Sequence, residues 1–401
     1  MRAPDSAPTR RDASAKETPS ALPCLVFVPV ATTDTRAETL DLANALTADF
    51  GTYFSGINWL DTAVRTSPSP GGYVLNATLR TQGARLRLET RLLDPNGAPV
   101  WTHKSDSTLA DSFDWQDSVV EDIAGHGTDM ILEAETLRLT TVPDDDMTPE
   151  QCLLMGIMAW RTFSNDSFVR AASFQARAIA AKPDMADAYA EAIIVVCAGR
   201  TMGTNLRMKA YQQKLPEWVE AARPLAIGHA VLTLAIGIAT YLQDQRMPPL
   251  NQTVSQVLRM VPFDARVLSF CGWANLWSGQ TQAALDCFDK SINLGKLGPF
   301  LVASYGGAAT ACVQLGLDNQ ALDYCAAGLA LADTYPTLYS AKCAAQALTG
   351  DLEGAEVTLK RYRELLPDRT LAEWRLSNSY GESDGGKRYF EGMRLAGLPE
   401  E

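Results

Sequence analysis

Three alanines constrain more than half of this chain. Ala284, Ala321 and Ala355 each sit in an alanine-rich segment with helical apolar spacing, at intervals of 37 and 34 residues. A period near 34 is that of a stacked two-helix unit, the first interval carrying a short insertion. Gly272 lies twelve residues before Ala284, and Phe288 lies four after it. Antiparallel helices approach closely only where side chains are small. Gly272 and Ala284 therefore make the helix–helix contact, and Phe288 fills the space toward the next hairpin. Pro183, Pro262 and Pro367 stand at unit ends. One hairpin cannot cover its own apolar faces, whereas stacked neighbours can. Residues 147–370 are thus expected to be helical hairpins throughout, with degenerate units between 184 and 262.

The pattern before residue 140 differs. Residues 1–20 are polar with mixed charge, as expected for a disordered tail. "CLVFVPV" (24–30) reads as a buried strand, 35–54 as a helix and "INWL" (57–60) as a second strand. Leu86, Leu88, Thr90 and Leu92 alternate with Arg87, Glu89 and Arg91, so a strand over 85–94 has one buried and one wet face. It is flanked by strands over 73–81 and 99–106, with "QGA" and "PNGA" as hairpin turns. Residues 111–134 read as a closing helix, interrupted near Gly125 and Gly127. The expected class is α+β: a small mixed α/β domain over 21–139, then an α-helical solenoid, then a C-terminal tail over 371–401.

Several chemistries find no support. A net charge of -12 argues against direct nucleic-acid binding, which calls for a basic patch. The eight cysteines are scattered without CxxC spacing, and read as small buried residues in a reducing, cytoplasmic compartment. Residues 224–242 are apolar enough to test for a membrane span. His229, two threonines and two glycines in the run favour a buried solenoid helix. His103, His126 and His229 lack metal-ligand spacing. "GESDGGKR" (381–388) resembles a phosphate loop, but Arg388 stands where Ser or Thr would hold magnesium; a flexible turn is expected there. No cofactor, metal or enzymatic activity is expected.

The strand "CLVFVPV", the pair "YVLNATLRTQGARLRLETRLLDPNGAPVWTHKSD" and the helix carrying "FDWQDSVVEDIA" resemble the TolB-like amino-terminal domain. That domain precedes tetratricopeptide repeats in many bacterial signalling proteins. "RYFEGMRLAGLPE" (388–400) resembles the tail of the same family. There, these parts often follow a class III nucleotide cyclase or winged-helix DNA-binding domain, and this chain carries neither. It also departs between Leu60 and Gly71, where the family has a helix.

The resemblance implies a non-enzymatic regulatory protein that holds a protein partner, as a peptide or helix, in the solenoid groove. In the unit beginning near Ala265, the stripe Leu268, Cys271, Gly272 and Asn275 faces the packed partner helix. Arg266, Ser269, Trp273 and Leu276 occupy positions that family members turn toward the groove, with Trp277 one turn beyond Trp273. These five residues are the candidate protein-binding site, with packing against a neighbouring unit as the other reading of the tryptophans. Two further functions stay open: the detached regulatory module of a cyclase or transcription regulator, and a small-ligand sensor using the α/β domain.

Overall fold

The computed structural model describes residues 22–65, 72–202, 205–244, 247–262, 264–294, 299–377, 380 and 383–401. The expected disordered tail lies outside these residues, as do six residues of the segment that departs from the TolB-like pattern.

Among the described residues, six strands form one sheet: β1 (Cys24–Phe27), β2 (Ala31–Thr32), β3 (Asp61–Val64), β4 (Tyr73–Gln82), β5 (Arg85–Leu93) and β6 (Pro99–Thr108). The order is β3-β1-β4-β5-β6, with β2 also pairing β4. β1 runs parallel to β3 and β4, while β4, β5 and β6 form an antiparallel meander. Leu86, Leu88, Thr90 and Leu92 are buried, as their alternation predicts. At the β5–β6 turn, Asp94 Oδ1 accepts from the backbone N–H groups of Asn96 and Ala98, and Gly97 takes φ 82°, a conformation that favours glycine. Helix α1 (Ala37–Ser55) crosses over between β1 and β3, and α2 (Ser112–Leu139) closes the domain. Both contribute to the core, through Leu46, Phe50 and Phe54 and through Val119, Ile123 and Ile131.

Two sequence readings need correction here. The strand expected at 57–60 lies instead at Asp61–Val64, and the short β2 was not foreseen. Ile57, Trp59 and Leu60 are buried, but they sit in turns whose N–H groups bond back to Phe54 and Ile57. Their apolar character marks burial after a helix rather than strand pairing. Likewise α2 runs unbroken through Gly125 and Gly127. A methyl at Gly125 would meet the Leu294 carbonyl oxygen at 3.1 Å, and one at Gly127 would touch the Phe54 ring. At Gly125 the small residue serves close approach to the solenoid, not a helix break.

From residue 149 onward the described chain is helical. The helices pair as hairpins: α3 (Pro149–Ala159) with α4 (Asn165–Ala181), α5 (Ala186–Thr201) with α6 (Asn205–Ala222), and α7 (Ala230–Asp244) with α8 (Met247–Met260). α9 (Ala265–Trp277) pairs with α10 (Thr281–Leu294), α11 (Pro299–Leu315) with α12 (Asp318–Leu331), and α13 (Pro336–Leu348) with α14 (Leu352–Leu365). Successive hairpins pack on one another, and the first helices of adjacent hairpins also touch. This makes a solenoid with the first helices on its inner side. The region expected to be degenerate holds two hairpins, the first with Pro216 inside its second helix.

The small–small–large logic is visible in the contacts. A methyl at Gly272 would lie 2.6 Å from the Phe288 ring, and one at Gly307 of α11 would also overlap that ring. Phe288, fully buried, is clamped between the glycines of two consecutive hairpins. The capping residues follow the same economy: Thr148 and Gln151 form a capping box on α3, and Asp264 and Asp351 cap α9 and α14.

The C-terminal residues extend the helical packing. α15 (Leu371–Ser377) and α16 (Asp384–Leu395) follow α14. The expected flexible turn at 381–388 is largely the first turns of α16, where the Ser383 hydroxyl accepts from Gly386 N–H. Among the described residues, no helix is long and apolar enough to cross a membrane.

Candidate binding cavity and groove

The inner helices converge on an aromatic cavity of about 80 Å³. Its wall begins at the end of α3, where Trp160 lies in a near-parallel stack with Phe270 at 6.1 Å and meets Phe300 edge-on at 5.3 Å. Cys197 and Ala198 come from α5, Ser269, Trp273 and Trp277 from α9, and Trp374 and Tyr380 from the C-terminal segment. Burial pushes the Cys197 thiol up to about 12, so it stays protonated and carries no nucleophile.

The wall closes because the first and last hairpins meet. Phe163 and Tyr335 rings are 4.4 Å apart, and Thr334 Oγ1 donates to the Thr162 carbonyl at 3.5 Å. Arg369 lies over the Trp374 ring at 5.7 Å and donates to the Thr201 carbonyl of α5 at 3.0 Å. Phe163 takes φ 51°, a costly conformation for a residue with a side chain. Its ring contact with Tyr335 anchors it there.

The remaining inner surface carries α16, which lies across α11 and α13, first helices of successive hairpins. Glycines let it approach: a methyl at Gly392 would meet the Ala344 carbonyl oxygen at 2.8 Å. Tyr389, Phe390 and Met393 are buried. Tyr389 Oη donates to Ser340 Oγ at 2.9 Å, and Arg388 grips Asp318 with two hydrogen bonds of 2.8 and 2.6 Å. The inner face of the last two hairpins therefore holds an amphipathic helix from the same chain.

The five candidate residues separate. Ser269, Trp273 and Trp277 line the cavity together. Trp273 is half-buried, 5.4 Å from Phe288 and 6.1 Å from Trp277. Leu276 is fully buried and does not line the cavity. Arg266 faces the small domain instead, beside Tyr53, Trp59 and Asp129. Its guanidinium pairs with the buried Glu191 at 2.6 Å. Burial pushes the Glu191 carboxyl up while Arg266 draws it back. Nearby, burial pushes Asp129 up to about 7, Asp264 and Glu133 adding to the shift and Arg161 opposing it.

Sequence reasoning missed Trp160, Phe163, Arg369, Trp374 and α16. One signal was present. Residues 374–390 hold Trp374, Tyr380, Tyr389 and Phe390, against 8% aromatic residues overall, a density out of place in a free tail.

No family model matches the chain, and no curated protein matches it. A solved structure, the APC/C hetero-tetramer Cut9–Hcn1, is similar at 15% identity and TM-score 0.44, covering 70% of this chain. The match spans about half (49%) of that chain's length. The fold assignment stands on the chain's own hairpins: a small sheet domain followed by a helical solenoid.

Proposed function

We propose that this chain is a non-enzymatic regulatory scaffold, working in a reducing cytoplasmic compartment, that holds a helical segment of a protein partner on the inner face of its solenoid. The reading rests on α16. An amphipathic helix is seated across α11 and α13 by a buried aromatic pair and a two-bond Arg388–Asp318 contact. Helix-in-groove recognition uses the same means, with apolar anchors on one helix face. A partner helix of similar pattern, with a basic residue ahead of two aromatic residues, competes with α16 for this face. The TolB-like resemblance of the sheet domain is in keeping with a signalling role. The free cysteines, seven of them buried, suit a reducing compartment.

A peptide in trans tests this. A fluorescent peptide of residues 383–401 is titrated into the full chain, wild type and Phe390→Ala/Met393→Ala. Weakening the resident helix frees the face, so the variant is expected to bind the peptide at least about tenfold tighter. Circular dichroism checks that the variant is folded, and Arg388→Ala serves as the milder alternative. Equal affinity for wild type and folded variant, or no binding to either, contradicts the proposal.

A further inference from the structure

We propose that the open edge of β6 pairs with β6 of a second copy of this chain, antiparallel about a two-fold axis at Ser105. The inference rests on the sheet domain alone and does not depend on how the face that holds α16 is used.

β6 ends the sheet, and among the described residues no strand pairs with its outer side. It is 10 residues long, against 4 for β3 at the opposite edge. A long open edge is a template for pairing with another chain, and proteins ordinarily blunt such edges. Pro99 and the register shift opposite it at Leu92/Leu93 blunt only the start of β6. Backbone alternation then decides which residues are available. The Leu109 N–H donates to the Ala84 carbonyl at 2.9 Å, in line with the β5–β6 register. In an antiparallel ladder, residues that bond the neighbouring strand alternate with residues that face away from it. Ser107, Ser105 and His103 therefore bond β5. Thr102, Lys104, Asp106 and Thr108 turn their N–H and C=O groups outward.

Charge selects the occupant and the register. The Lys104 and Asp106 side chains are 66% and 62% exposed, lying 3.6 Å from Glu89 and 2.6 Å from Arg87 on the sheet face away from the core. A lone lysine on an edge guards against pairing. An aspartate two residues further on reverses that effect for one partner, a second copy of the same strand. With Ser105 on the axis, Lys104 lies opposite Asp106 of the second copy, and Asp106 opposite its Lys104. Thr102 likewise lies opposite Thr108 of the second copy. All four are outward-bonding residues, so the two strands can exchange about eight backbone hydrogen bonds. Moving the register by two residues in either direction sets Lys104 opposite Lys104 or Asp106 opposite Asp106, and like charges directly opposite are destabilising. The contact is self-complementary, so it closes at two copies.

Sedimentation equilibrium on the full chain tests this. Wild type is expected to pass reversibly from monomer to dimer at concentrations up to about 200 μM. Lys104→Asp sets two carboxylates opposite each other, and Asp106→Lys sets two ammonium groups opposite each other. Each variant alone is expected to self-associate at least about tenfold more weakly. An equimolar mixture of the two restores opposite charges at both positions and is expected to associate as wild type does. Lys104→Pro removes an outward N–H and leaves the β5 ladder intact, a place where an edge strand tolerates proline. It is expected to be monomeric, and it decides the matter should circular dichroism show that the charge variants do not fold. A wild type that stays monomeric overturns the inference and leaves the edge to a strand of another protein. A dimer that survives Lys104→Pro, or a mixture of folded charge variants that associates no better than either alone, overturns it too.

Discussion

Single residues in this chain act mainly through the space they leave. Phe288 occupies the gap between Gly272 and Gly307, so Gly307→Ala forces the ring to move. Overpacking of this kind costs about 1–3 kcal/mol, against roughly 1 kcal/mol gained from alanine's helix propensity. A net loss of stability is expected in denaturant titrations, and Phe288→Leu should relieve it. Additive effects of the two changes would show that glycine and ring are not coupled. Arg266 acts through charge. Its removal strands the buried Glu191, so Arg266→Ala is expected to cost about 3–5 kcal/mol. Replacing both partners with Met and Leu should recover most of it. Asp129 supplies a pH dependence. Its folded pKa lies above the unfolded value, so the folded state binds the proton more tightly. Its contribution is full below about pH 4 and is lost as pH rises through about 7. Asp129→Asn should therefore leave stability unchanged at pH 4 and raise it by about 1–3 kcal/mol at pH 8. A variant equally stable at both pH values relative to wild type would refute the shift.

At the scale of elements, the hairpins were legible because their spacing has a local cause. Gly272 and Phe288 pack together within a single unit, with Gly307 of the next unit on the same ring, so a window little longer than one repeat contains the constraint. The alternation in β5 was legible for the same reason. The misplaced β3 shows the limit. Asp61–Val64 is short and has no buried residue, paired to β1 by backbone bonds that leave no mark on the side chains. Ile57, Trp59 and Leu60 carry the stronger apolar signal yet only plug the core. Gly125 misled in another way: a glycine read locally is a helix breaker, but its reason is Leu294, in a different domain. α16 depends on its partners too. Arg388 holds it to Asp318 and to the Val313 carbonyl, and Arg388→Ala should raise hydrogen exchange over 384–395 before α13 or α14 responds. Exchange that rises equally in all three would mean the helix is part of one unit with them.

The whole molecule depends on a contact that no local pattern encodes. A solenoid is quasi-one-dimensional, and its ends ordinarily lie apart. Here Phe163 and Tyr335 meet across 172 residues, Arg369 bridges to α5, and the inner aromatic residues line a cavity. The candidate groove residues illustrate the consequence. Trp273, Trp277 and Ser269 lie on the inner side and line a cavity walled on its far side by the last hairpin, while Arg266 and Leu276 are taken up by packing. Closure is thus the central structural claim, and a distance across the seam tests it most directly. Thr162 and Thr334 are exposed and hydrogen-bonded to each other. Spin labels placed there, with the partly exposed Cys24 changed to Ser, can be measured by pulsed electron–electron resonance. Five steps between six stacked hairpins, at about 9 Å per step, would separate the labels of an open array by roughly 45 Å or more. Closure predicts a narrow distribution at a short distance, on the order of two label lengths. A broad or single long distance would contradict it.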